Sequence, residues 1–258
     1  MAQGYTSSDI IEALGKLGIG KGDSIFVHSA LRSLGKFLIP GESNKLDELL
    51  KAFIGKISEE GTITVPAFNF SFCEGEPFDV QSTPGVDMGA FSEFLRVHPR
   101  SKRTKHPFHS ISALGKYASL IEGSIGETEF SEGSFFDTLL KLNTKVIFFG
   151  VPFVETFVHI AEERALVNYR FWKTFSGNFT DLGKTEWKSF KFYARKLELN
   201  PQPRVDVDKI NLYLREKKII KSTRLGEGEI SVCSSNEMVE ELMGKFKSDP
   251  SFPLMTPT

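Results

Sequence analysis

A histidine and a glutamate that could act together as a base lie in the segment after Gly150. His159 and Glu162 stand three residues apart, so on a helix both side chains share one face. A carboxylate beside an imidazole holds the ring in one tautomer and raises its basicity, as a general base requires. The plain alternative is a core histidine that bonds a backbone carbonyl. The spacing therefore predicts either a catalytic dyad or a buried structural histidine.

Two more histidines, His106 and His109, stand close together before a strand-like run. With His159 and Glu162 they could supply ligands for zinc. The helical HExxH arrangement is missing, however, and no aspartate or cysteine completes a familiar spacing. We therefore expect no metal.

Two segments carry groups that suit an anion. The loop Ser29–Gly35 follows a strand and offers backbone N–H groups, serine hydroxyls and Arg32, although it is not a P-loop. A second run, residues 96–106, holds five cations and is interpreted as either a solvated loop or a phosphate contact.

The elements that position these residues alternate along the chain. Apolar spacing predicts strands and helices in alternation over the first two-thirds, with the strand Val146–Phe149 leading into the His159 helix. Residues 170–195 predict a hairpin. We expect an α/β fold: a three-layer αβα sheet of mixed strands with helices on both faces and a C-terminal hairpin extension. The predicted helices are Ser7–Leu17, Asn44–Ile57, Met88–Val97, Phe135–Leu142, Asp206–Lys217 and Asn236–Phe246, and the other strands are Ser24–His28, Gly61–Pro66, Ser110–Leu114 and Gly228–Val232.

Composition narrows the class of protein. The 258 residues are 40% hydrophobic, which suffices for a core, and a single domain over residues 1–258 is predicted. The net charge of −1 argues against a nucleic-acid binder. The two cysteines are far apart in the sequence, and there is no signal-peptide pattern and no apolar run long enough to span a bilayer. We therefore expect a cytoplasmic protein without a membrane partner.

Taken in order, seven motifs resemble the aminoglycoside 3-N-acetyltransferase family. The resemblance runs from about residue 7 to residue 245. The loop does not carry the Arg-x-x-Gly-x-Gly/Ala signature of the common N-acetyltransferase superfamily. The seven motifs are Val27–Gly35, Gly61–Pro66, Phe78–Gly89, Arg100–Ser110, Gly133–Asp137, the strand Lys145–Gly150 and His159–Glu162.

The resemblance implies acetyl-CoA or another short acyl-CoA as donor and a primary amine as acceptor. An amine with a pKa of about 8 is mostly protonated at neutral pH, so a base must collect its proton. The resemblance gives that role to His159 with Glu162 as its orienter, and His106 is the alternative base. Ser110 or a backbone N–H of the Ser29–Gly35 loop could bond the thioester oxygen. The cofactor-binding residues implied are Ser29, Ala30, Leu31, Arg32, Ser33, Leu34, Gly35, Thr83, Met88, Arg103 and His109.

The acceptor is expected to meet an extension of about residues 168–204, which is basic and aromatic around residue 172. Aminoglycosides are polycations, so this composition favours a nucleotide-linked amino sugar of the kind used for surface polysaccharides. The alternatives are aminoglycoside acetylation as antibiotic resistance, a zinc amidohydrolase using His106, His109 and His159, and a non-catalytic sugar-binding module. A homodimer is left open. The predicted substrate-binding residues are Phe68, Tyr169, Arg170, Trp172 and Lys173.

Overall fold

Ten strands and eight helices form the part of the chain that the computed structural model describes, residues 4–255. The strands are β1 (Ser24–Ser29), β2 (Thr62–Pro66), β3 (Phe78–Asp79), β4 (Lys102–Arg103), β5 (Ile111–Gly115), β6 (Lys145–Phe149), β7 (Arg170–Asp181), β8 (Lys184–Arg195), β9 (Lys221–Leu225) and β10 (Gly228–Ser234). The helices are α1 (Ser7–Lys16), α2 (Lys45–Ile57), α3 (Ala90–Arg96), α4 (Ala118–Gly123), α5 (Phe135–Lys141), α6 (Val158–Ala165), α7 (Val207–Glu216) and α8 (Ser235–Ser248).

The central sheet has seven strands in the order β4-β5-β2-β1-β6-β10-β9. Its three middle strands, β2, β1 and β6, are parallel, while β5 and β10 run antiparallel to their neighbours. The carboxyl ends of the middle strands therefore share one edge with the beginnings of β5 and β10. This edge is where ligands usually bind in such sheets.

Alternating side chains give the sheet two apolar faces. Ile25 and Val27 pack in one core with α1, α2 and α3, whereas Phe26 points into the other, which includes residues of α4 to α8. Both cores consist of fully buried aliphatic and aromatic side chains. The three-layer αβα arrangement with mixed strands is thus confirmed.

The predicted hairpin is formed by β7 and β8, which pair over their full length, and β3 joins them in a second sheet. The chain then returns to the central sheet, so the hairpin is an insertion before α7 and not the last element. The sequence prediction missed β9, because this edge strand is polar and largely exposed and has no apolar alternation. The short elements β3, β4 and α4 were also missed. Among residues 4–255, no helix is long and apolar enough to cross a bilayer.

A buried arginine holds together the loops below the carboxyl edge. The Arg103 guanidinium donates to the carbonyl oxygens of Ala67, Val80 and Thr83, and to the Ser110 hydroxyl. Burial lowers the pKa of Arg103 to about 10, so the group stays charged near neutral pH. Because its donors face the protein itself, the predicted cofactor contact of Arg103 is wrong.

Replacing Arg103 by leucine should lower the free energy of unfolding by about 3 kcal/mol, since several buried carbonyls would lose their donor. Arg100→Leu is the matched control, because Arg100 is exposed and its ion pair with Glu59 spans 3.5 Å. Denaturant unfolding of both variants measures the difference. Equal stabilities would show that Arg103 does not hold these loops.

Candidate active site

The segment between β6 and α6 carries His159 to the carboxyl edge of the sheet. A 3-10 turn, Glu155–Phe157, leads directly into α6, and His159 occupies the first turn of that helix. The helix brings Glu162 below it, and Nδ1 of His159 lies 2.6 Å from Oε2 of Glu162. The contact that the spacing predicted is therefore formed.

Glu162 is fully buried and has two further partners. The Tyr169 hydroxyl donates to Oε1 at 2.7 Å, and Nε of Arg170 lies 2.8 Å from Oε2. Burial favours the protonated carboxyl, but His159 and Arg170 outweigh it, so the pKa of Glu162 lies below its ordinary value. The carboxylate is charged and can orient the imidazole.

Two of the predicted substrate-binding residues, Tyr169 and Arg170, instead hold the carboxylate that orients His159. Tyr169 is buried and its hydroxyl is committed to Glu162, so its predicted contact with an acceptor is wrong. Besides its ion pair with Glu162, Arg170 donates from Nη1 to the carbonyl oxygen of Tyr193 and lines the pocket beside His159. Its first role in this geometry is to hold the Glu162 carboxylate.

His159 opens into a pocket of about 550 Å³. Its Nδ1 lies 2.6 Å from Glu162 Oε2 and, farther away, 3.3 Å from Nη2 of Arg170, and Nε2 has no protein partner among residues 4–255. In the neutral ring, the Nδ1 proton is donated to Glu162 and Nε2 is left as an acceptor. The pocket is lined by Phe70, His109, Phe130, Glu155, His159, Arg170, Phe192, Tyr193, Arg195, Arg204, Val205 and Met255.

The structure separates the two histidines of the loop before β5. His109 shares the pocket with His159, whereas His106 lines a different cavity of about 360 Å³ with Lys105 and Phe190. Burial lowers the pKa of His106 to about 4. This position does not support the alternative that His106 is the base, and His109 lines the pocket of His159.

Ser110 lies beneath the pocket and is fully buried. Its hydroxyl donates to the Ala67 carbonyl at 2.9 Å and accepts from Arg103. A hydroxyl has one proton to donate, so none is left for a thioester oxygen. The predicted oxyanion role of Ser110 is contradicted.

The predicted cofactor loop does lie at the carboxyl end of β1. Leu31–Leu34 form a 3-10 turn, and Gly35 follows in a left-handed conformation (φ 79°). Gly89 ends the Phe78–Gly89 motif, the segment that holds the predicted cofactor residues Thr83 and Met88, and approaches the Ser29 carbonyl so closely that a Cβ would lie 3.0 Å from its oxygen. The two segments meet, and their cofactor contact stays a prediction.

Individual side chains of these segments differ in what they can offer a cofactor. Arg32 is exposed, but Leu34 is buried in the core and Ser33 donates to the Ala30 carbonyl at 2.8 Å. Thr83 accepts from the Asp79 N–H, and Met88 packs on the core. The predicted contacts of Leu34 are wrong, because its side chain faces away from solvent.

The remaining predicted substrate residues lie around the pocket and not in it. Phe68 is buried and packs edge-on against His109, with ring centroids 5.0 Å apart. Trp172 lines another cavity, together with residues of α5 and α6, and Lys173 lies over the Phe175 ring. Direct acceptor contacts of these three residues are not supported by the structure.

The charged rim of the pocket was not predicted from the sequence. Arg195 is the last residue of β8, Arg204 lies in the segment between β8 and α7, and Glu155 lies in the turn before α6. The only signal in the sequence for these rim residues is the basic character of the hairpin that follows the His159 helix. Across residues 4–255, no group of three or more histidine, cysteine or acidic side chains is arranged to hold a metal.

A layered α/β sheet with an imidazole and a buried carboxylate at its carboxyl edge is the architecture of an enzyme suited to general-base catalysis. A family model for aminoglycoside 3-N-acetyltransferase matches residues 26–247, and the chain therefore belongs to this family. It is a CoA-dependent N-acyltransferase with acetyl-CoA as co-substrate.

Curated relatives agree with this assignment. The chain is 28% identical to the SPbeta prophage-derived aminoglycoside N(3')-acetyltransferase-like protein YokD of Bacillus subtilis (strain 168), over 75% of this chain and 77% of that protein. It is 29% identical to aminoglycoside N(3)-acetyltransferase IV of Salmonella sp, over 64% of this chain and 61% of the relative.

Solved structures share the fold. The apoenzyme of aminoglycoside acetyltransferase AAC(3)-IVa superposes with a TM-score of 0.80 at 24% identity, covering 100% of this chain and 94% of that one. AAC-IIIb, solved as a binary complex with CoASH, gives 0.80 at 21% identity and covers 99% of this chain and 100% of that chain.

Replacing His159 by asparagine should lower kcat by about 100- to 10,000-fold, the range that a general base contributes. Glu162→Gln should approach this loss, because an amide can donate to Nδ1 and so place the ring proton on Nε2. Thiol release from acetyl-CoA measures both.

Glu163→Gln is the control for this pair of variants. Glu163 neighbours Glu162 on α6 but accepts from Thr128 and does not contact His159. Its variant should keep the parental kcat, and a kcat of Glu162→Gln equal to that of Glu163→Gln would refute the dyad.

Proposed function

We propose that this enzyme transfers the acetyl group of acetyl-CoA to a primary amine of an amino sugar, with His159 as the general base. The contact of 2.6 Å between His159 and the buried Glu162 carries this proposal, because it leaves Nε2 as an acceptor in the pocket. Three partners keep the carboxylate charged, and the pocket is large enough for one sugar ring beside a thioester.

The chemistry follows from the tautomer. The amine nitrogen attacks the thioester carbon, and its C–N bond forms as Nε2 of His159 takes the departing N–H proton. Glu162 stabilises the imidazolium. When the tetrahedral intermediate collapses, the C–S bond breaks and the thiolate of CoA takes the proton from His159. The products are an amide and free CoA.

The names of the relatives support an aminoglycoside as acceptor. AAC(3)-IVa, which matches at 25% identity with a TM-score of 0.79, was also solved as a mutant in complex with a gentamicin. AAC-VIa, at 19% identity, was solved with sisomicin and shows the same fold. Both ligands belong to those proteins, and the shared family makes an aminoglycoside the first candidate acceptor here.

The charge of the pocket supports a second candidate, a nucleotide-linked amino sugar. Arg195 and Arg204 are exposed at the rim, and Glu155 is the carboxylate that shares it. Among residues 4–255, the Arg195 side chain donates only to the Pro203 carbonyl, at 3.2 Å. Arginines repel a polycation and bind phosphate bidentately, so the rim suits an acceptor that carries a phosphate.

A panel of amines distinguishes these candidates: glucosamine, glucosamine 6-phosphate, UDP-glucosamine and gentamicin, each with acetyl-CoA. On charge, we expect the phosphate-bearing amines to have the higher kcat/KM, with an advantage that shrinks as salt rises. The double variant Arg195→Gln/Arg204→Gln should lower kcat/KM for these amines and not for glucosamine.

If only gentamicin is acetylated, the acceptor is an aminoglycoside and the preference for a phosphate-bearing amine is wrong. Absence of thiol release with every amine would contradict the proposed reaction itself.

A further inference from the structure

The pocket contains a second histidine–carboxylate pair besides His159 and Glu162. Nδ1 of His109 lies 2.9 Å from Oε1 of Glu129, a carboxylate that is 1% exposed. The His109 and His159 rings line the same pocket with centroids 6.1 Å apart. Two imidazoles, each backed by a buried glutamate, therefore face one substrate space.

Aromatic side chains fix the His109 ring in place. It stacks on Phe192 at 5.8 Å with an interplanar angle of 14°, and Phe68 meets it edge-on. Phe130 contacts both imidazoles, at 5.3 Å from His109 and 6.0 Å from His159. Aromatic neighbours on three sides therefore restrict rotation of the His109 ring.

The carboxylate settles which nitrogen carries the proton. Nδ1 donates to Glu129, so Nε2 is an acceptor with no protein partner among the described residues. Burial, opposed in part by Glu129, lowers the pKa of His109 below its ordinary value. His109 is therefore neutral near pH 7 and accepts a hydrogen bond instead of donating one.

We propose that His109 accepts a hydrogen bond from the reacting amine and thereby makes the site selective for primary amines. The inference rests on the proposed acetyl transfer. It makes His109 a catalytic residue that holds the nucleophile, while His159 removes its proton.

The number of N–H groups on a primary amine matches two hydrogen-bond acceptors in the site. A neutral primary amine has two N–H groups and one lone pair. When one N–H donates to His159 and the other to His109, the lone pair is left to meet the thioester carbon. His159 removes the first proton during attack, and the second stays on the nitrogen of the amide product. A secondary amine has one N–H and cannot satisfy both rings.

The test is a double variant, His109→Phe with Glu129→Gln. Phenylalanine keeps the stacking on Phe192, and the glutamine avoids a buried charge without a partner. For the most active amine of the panel, kcat/KM should fall about 10- to 100-fold, as expected when a reacting group loses its positioning. The KM for acetyl-CoA should not change. The wild-type preference for that amine over its N-methyl derivative should disappear in the variant.

His106→Phe is the matched control, because His106 also approaches Glu129, at 3.5 Å, but lines the other cavity. It should keep the parental kcat/KM and the preference for the primary amine.

An unchanged preference in the double variant, in a protein with parental melting temperature, would overturn this inference and leave the acetyl transfer standing. An equal loss in His106→Phe would also overturn it, since the effect would then act through Glu129. A wild-type enzyme that acetylates no amine would overturn both proposals.

Discussion

The buried carboxylate of Glu162 is the constraint on which the rest of the site depends. A charge at zero exposure is expensive unless it is paired and hydrogen-bonded. Its partners come from two elements: His159 from α6, and Tyr169 and Arg170 from the beginning of the hairpin. Because all three must reach one carboxylate, the helix and the hairpin are fixed relative to each other. The pocket is the space that remains between the helix and the hairpin. The contacts with Glu162 that orient His159 also position the pocket wall opposite it.

The mixed strand directions explain why the second histidine can join this site. His109 precedes β5, which runs antiparallel to β2, so the beginning of β5 reaches the edge where β1, β2 and β6 end. A purely parallel strand would place the preceding loop at the opposite edge. Arg103 and Ser110 flank this loop, and both donate to the carbonyl oxygen of Ala67, which ties the loop that carries His109 to a neighbouring segment. Polar residues that contact no ligand can thus determine the geometry of those that do.

The long helices and strands with periodic apolar residues were predicted well from the sequence. The contacts of the polar side chains were predicted poorly. Strands such as β1 and β6 were found because buried strands leave an apolar pattern, while β9, at a polar edge, leaves none. The His159–Glu162 contact was predictable because helical spacing alone produces it. Whether a polar group faces a ligand or the protein was not predictable, because residue type is the same in both cases. Ser110, Arg103 and Tyr169 were predicted to contact a ligand for this reason, but their side chains bond the protein itself. His106 and His109, three residues apart on one loop, line different cavities.

Chemistry and acceptor recognition are carried by different parts of this chain. The dyad is held by buried groups whose charges balance locally, so it does not depend on what lies at the pocket rim. The rim residues Arg195 and Arg204 come from the end of β8 and the linker after it, where substitutions disturb no core. Family membership therefore bears directly on the reaction and only indirectly on the acceptor. A polycationic acceptor requires carboxylates at such a rim, and a change of charge at this rim needs no rearrangement of Glu162 or its partners. Arg195 and Arg204 favour an anionic acceptor, whereas Glu162 and its partners hold the base, so the two features depend on different residues.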